Sequence, residues 1–89
     1  MPRKNNKQEE LVGFVGVGLD NEDGHTRVTQ SEYFVLVGGS SETHEQMQDT
    51  AIYFNESLDK KGKRLPETET HEAIELLRDA IERSRRRTT

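Results

Sequence analysis

Apolar positions along this chain form two dense blocks followed by two periodic stretches. Residues 11–19, LVGFVGVGL, are rich in β-branched and aromatic side chains and predict a strand. Residues 27–37, RVTQSEYFVLV, predict a second. Between them stands Asn21-Glu22-Asp23-Gly24-His25, an Asx residue, two residues suited to a type I turn and a glycine able to take positive φ, which predicts a hairpin. With Gly24 as the bulge, Leu19 would face Arg27, Val17 would face Thr29, Val15 would face Ser31 and Gly13 would face Tyr33, whose ring would cover the bare backbone.

Alternation then divides the strands into two faces. One carries Leu11, Val15, Val17, Leu19, Tyr33, Val35 and Val37, and the other carries Val12, Phe14, Val28, Phe34 and Leu36. The first is richer, but neither is polar at the 33–37 end, and a strand apolar on both sides is usually covered on both. Two helices suffice for one face, so a second copy of the chain is the simplest cover for the other face or the edges.

The helices follow from spacing. Met47, Ala51, Phe54 and Leu58 make a stripe that predicts a helix over 41–61. Ser40, Ser41 or Thr43 caps it, Thr43 with Gln46 fits a capping box, Lys60 and Lys61 suit its last turn and Gly62 stops it. Ile52 and Tyr53 fall off the stripe and suggest a further contact. Ala73, Ile74, Leu76, Leu77, Ala80 and Ile81 predict a second helix from Glu69 to Arg86, with Asp79–Arg83 and Glu82–Arg86 as acid-before-base pairs four apart. The expected fold class is α+β: a small β-β-α-α domain, an antiparallel hairpin packed on two antiparallel helices and extended by dimerisation. Residues 1–9 are expected as a flexible basic tail, 10–86 as a single domain and 87–89 as a flexible end.

Composition sharpens the expectation of a partner. Of 89 residues, 29% are hydrophobic and 34% charged, which leaves a thin core for a domain of this size. The chain has no cysteine, so disulfides, thiolate chemistry and cysteine-bound zinc are excluded. No apolar run is long enough for a signal peptide or a bilayer span, and a soluble cytoplasmic protein is the expectation. The net charge of −4 is unevenly placed. Arg3, Lys4 and Lys7 open the chain and Arg83, Arg85, Arg86 and Arg87 close it, while all the acids lie between.

Candidate chemistry centres on Gly38, Gly39, Ser40 and Ser41, where a strand runs into a helix start and free N–H groups suit an anion. In the hairpin geometry both basic tails would arrive at that same end, so Arg83, Arg85, Arg86 and Arg87 join it as anion-binding candidates. Glu42 and Glu45 oppose this, because they already compensate the helix dipole, and the P-loop pattern is absent. Ser40, Ser41, His44 and Glu45 hold nucleophile, base and acid types, but adjacency along one helix start does not give them catalytic geometry. His44 and His71 lie at opposite ends of a helix ~30 Å long. His25 and His71 would approach near Asp20, Asp23 and Glu69, yet no metal-ligand spacing supports a site. No cofactor or metal is expected, and no catalysis. The expected function is a non-catalytic interaction or regulatory module acting as a homodimer, with Phe14, Phe34, Leu36, Ile52 and Tyr53 at the interface. The alternative is nucleic-acid or other polyanion binding through the basic tails and the GGSS helix start; no membrane partner is expected.

Overall fold

The computed structural model describes residues 11–87, a three-stranded mixed sheet with two helices on one side. The strands are β1 (Phe14–Gly18), β2 (Val28–Gln30) and β3 (Phe34–Gly38). Helices α1 (Ser41–Lys61) and α2 (Thr70–Arg87) follow, joined through a 3-10 turn at Leu65–Glu67. The order across the sheet is β1-β3-β2. The α+β class holds, and residues 1–9 with their basic side chains lie outside the described residues.

The antiparallel hairpin between the two apolar blocks does not form. β1 runs parallel to β3, with Phe14 opposite Phe34 and Gly18 opposite Gly38. The second block is itself bent into β2 and β3, which pair antiparallel with Val28 opposite Val37, the Ser31 N–H donating to the Phe34 carbonyl at 2.9 Å. The Asn21–Gly24 turn does form locally: Asn21 Oδ1 accepts the N–H groups of Asp23 and Gly24 at 3.1 and 3.0 Å. It carries the chain past β3 to the far edge instead of back along β1. This order places Phe34–Gly38, the most apolar segment, in the centre, and leaves the short β2, flanked by Arg27 and Glu32, at an edge, where polar neighbours are tolerated.

The core lies between the sheet and α1. The rings of Phe14, Phe34 and Phe54 pack with centroids 5.2–5.5 Å apart, two of the three contacts edge-to-face, the favoured arrangement of aromatic quadrupoles. Leu36, Ala51, Leu58 and Leu65 complete the cluster. Phe34 and Leu36, expected at a subunit interface, are therefore buried within one chain, and Phe14 is half-buried against them. Of the other interface candidates, Ile52 is exposed and Tyr53 lies beneath the Arg83 guanidinium, 4.7 Å from the ring centroid.

α2 packs chiefly on α1. Its fully buried residues are the small Ala73, Ala80 and Ser84, with Leu76 and Leu77 packed half-buried beside them. Thr50 Oγ1 donates to Ser84 Oγ between the helices at 2.9 Å, so the buried hydroxyls satisfy each other. The C-terminus of α1 falls where the sequence places it, closed by Gly62 at φ 66°. At the N-terminus Ser40, one of three candidates, is the cap through Thr43 N–H, so Thr43 lies inside the helix and does not open a Thr43–Gln46 capping box. One helix layer thus covers the Phe14–Phe34–Leu36 face, and the opposite, valine-bearing face is open.

Candidate functional site

At the β3–α1 junction, parallel pairing has an effect that hairpin pairing would not. The C-terminal ends of β1 and β3 lie side by side, so Asp20 comes up against the start of α1. Its Oδ1 accepts the Ser40 N–H at 2.9 Å, and its Oδ2 accepts the hydroxyls of Ser40 at 3.1 Å and Thr43 at 2.6 Å. Ser40 Oγ meanwhile accepts Thr43 N–H at 3.2 Å. The helix N-terminus does hold an anion, as its orphan donors and dipole favour, and that anion is the chain's own carboxylate. The Thr43 hydroxyl and then the Ser40 backbone N–H hold the Asp20 carboxyl below its ordinary range.

The surroundings are acidic. Asp20, Glu22, Asp23 and Glu42 share the rim of the shallow cavity beside Ser40 and Ser41. Asp23 is bound by Arg27 at 2.7 Å and held far below the usual carboxylate range by that guanidinium. Arg27 also donates to the Gly39 carbonyl at 3.2 Å, tying the 20–27 loop to the junction.

Among the described residues, the basic side chains of α2 are not brought there, and β1 begins at the end of the sheet remote from Gly38. Arg3, Lys4 and Lys7 lie outside the described residues. Ser84 meets Thr50, about ten residues along α1 from the cap, or roughly 15 Å at the helical rise. Arg83 lies on Tyr53 and pairs with Asp79 at 3.6 Å, and Arg85 pairs with Glu82 at 4.0 Å. Arg86 is exposed on the same last turns, and Arg87 ends the helix.

The histidines are also separated. His25 sits in the loop by Asn21 and Asp23, whereas His71 pairs with Glu69 at 3.4 Å at the start of α2, beyond the opposite end of α1. No cluster of three metal-ligating side chains occurs among the described residues. His44 is buried with both ring nitrogens engaged. The Gly38 carbonyl, 3.0 Å from Nδ1, can only accept, so Nδ1 carries a proton, and Nε2 shares a hydrogen bond with Thr29 Oγ1 at 2.8 Å. Gln48 donates to the same Thr29 oxygen at 2.9 Å. His44 is a strut between β2, β3 and α1, turned away from Ser40 and Ser41.

Asp20 is the residue sequence reasoning missed. It follows an apolar strand in a polar loop, and only the parallel pairing gives it a partner. A test follows from its depressed pKa. A carboxylate whose folded pKa lies below its unfolded value contributes stability above the unfolded pKa of about 3.9 and loses it as pH falls through the folded pKa. Asp20→Asn is expected to lower Tm at pH 7 and to give a shallower fall of Tm in acid than the parent chain. Parallel acid limbs in circular-dichroism melts would show that Asp20 carries no such linkage.

No family model matches this chain, and no curated protein or solved structure matches it. The fold and this junction define, among the described residues, a small mixed-sheet α+β domain in which the start of α1 is filled by the chain's own carboxylate.

Proposed function

We propose that the chain is a non-catalytic interaction module that acts as a homodimer. The observation that carries this reading is the open face of the sheet. Val15, Val17 and Val28 are 72%, 61% and 60% exposed there, and Val35 and Val37 stand between them. An uncovered sheet face normally alternates to polar residues, and contiguous apolar surface of this kind marks a contact site. Burying a valine side chain contributes about 1.5–3 kcal/mol, so a partner that covers even part of the face recovers a sizeable share of a small domain's stability. Chemistry on the other side of the ledger is sparse: Ser40 and His44 are committed to structural hydrogen bonds. Polyanion binding draws little geometric support, since the Ser40 N–H and hydroxyl are taken by Asp20 and the Gly38 N–H by the Arg27 carbonyl, beside an acidic rim. No helix among the described residues is long and apolar enough to cross a membrane.

Size-exclusion chromatography with light scattering tests the reading directly. A mass of twice the 10.2 kDa chain at micromolar concentration is expected, with Tm rising with protein concentration because association stabilises only the folded form. A monomer whose Tm is independent of concentration would overturn it.

A further inference from the structure

We propose that the second copy stacks on the valine face, so that two three-stranded sheets form a sandwich with the helices on the outside. This rests on the homodimer reading and names its surface. Three apolar features compete for a partner: the face, the free edge of β1, and a cavity of about 220 Å³ between β1 and the helices lined by Phe14, Gly16, Met47, Leu77 and Ile81.

The cavity is below the ~300–1,000 Å³ of ordinary ligand sites. The β1 edge has backbone to offer: Phe14 N–H bonds the Tyr33 carbonyl, so by strand alternation Val15 and Val17 turn their N–H and C=O groups outward. Pairing there, however, would leave every exposed valine as it is. Nor can residues 1–10 fill the face, since after Pro2 they contain no apolar side chain.

The face itself is continuous and uncharged. Val15, Val35 and Gln30 form one row across the three strands, and Val17, Val37 and Val28 form the next. Leu19, the residue after β1, is 91% exposed and continues the alternation of Val15 and Val17. Together they present on the order of 500 Å² of apolar surface, at the upper end of what monomers leave open. One partner contributes ~800 Å² to a standard interface, so the patch supplies the apolar centre of a small dimer and the polar loops around it supply the rim. Branched side chains on both inner faces suit sheet packing at the usual ~10 Å separation.

The chain has no cysteine, so a single introduced thiol reports on one position. Val17→Cys and Ile52→Cys, the latter on the outer side of α1, are both conservative changes at positions more than half exposed in the single chain. At concentrations where light scattering gives a dimer, maleimide labelling is expected to be at least tenfold slower at position 17 than at position 52, and equal at both after dilution to monomer. A dimer that labels equally fast at both positions would overturn face stacking and leave the homodimer reading intact, as β1 edge pairing would give. A chain that is monomeric at every concentration would overturn both.

Discussion

Truncating Phe54 to alanine is expected to lower the unfolding free energy by about 3–5 kcal/mol, the range for removing a buried aromatic ring. Phe54 is fully buried, and its ring meets Phe14 and Phe34 edge-to-face at 5.2 and 5.5 Å. It is the side chain that joins α1 to β1 and β3 at once, so the void left behind would be bordered on both sides by rigid elements and would collapse little. Stability of ~0.05–0.15 kcal/mol per residue gives a domain of this size only roughly 4–12 kcal/mol in all. The loss is therefore a large part of the total and should lower the urea midpoint well below the parent's. Urea titration followed by circular dichroism measures the effect, with Ile52→Ala on the exposed side of the same helix as the control, expected within about 1 kcal/mol of the parent. Losses of similar size at positions 52 and 54 would place the core elsewhere.

The sequence reading located Phe54 because helical periodicity and end chemistry are local properties. Thr43 N–H capped by Ser40 and Gly62 beyond Lys61 sit where the residue types place them. The grouping of Val15, Val17, Val35 and Val37 on one face, and of Phe14, Phe34 and Leu36 on the other, also survived, since parallel and antiparallel pairing both keep odd residues with odd. Strand direction did not survive. Asn21–Gly24 makes the same Asx turn whether the chain returns beside β1 or crosses to the far edge, and that choice is made by long-range competition for the central position. The Ser31–Tyr33 bend, unread in the sequence, moved Val28 from the aromatic face to the valine face. Which face the helices cover was likewise illegible from counts of apolar residues. The valine face has more of them, but the large side chains of Phe14, Phe34 and Leu36 fill the space against Phe54 and Leu58. Leu65, in the connection between the helices, is fully buried, one apolar residue in a polar stretch and so invisible to periodicity. The parallel direction of β1 is what brings Asp20 to the start of α1.

That junction makes Gly38→Ala the second large effect. Gly38 has φ 82°, and a Cβ there would lie 2.7 Å from the Gly18 carbonyl oxygen. A left-handed conformation alone costs an alanine about 1–2 kcal/mol. Here the neighbour is backbone, and it has no easy retreat. Gly38 N–H is held by the Arg27 carbonyl at 2.7 Å, and Gly18 is itself so close to Gly39 that its own added Cβ would sit 2.5 Å from the Gly39 Cα. Relief requires parting the ends of β1 and β3, which would draw Asp20 away from Ser40 and Thr43. A loss exceeding ~3 kcal/mol is expected, since strain and the parted junction add. Gly24→Ala separates the two contributions: its φ is 75°, but nothing lies within 4 Å of the added atom, so only the conformational part, about 1–2 kcal/mol, should appear. Combining Gly38→Ala with Asp20→Asn should then be markedly less than additive, because a junction already opened has no Asp20 contact left to lose. Strict additivity, or equal losses at positions 24 and 38, would mean that the glycines serve only the turn. Coupling would mean that they hold two strand ends together so that the chain's own carboxylate can occupy its helix.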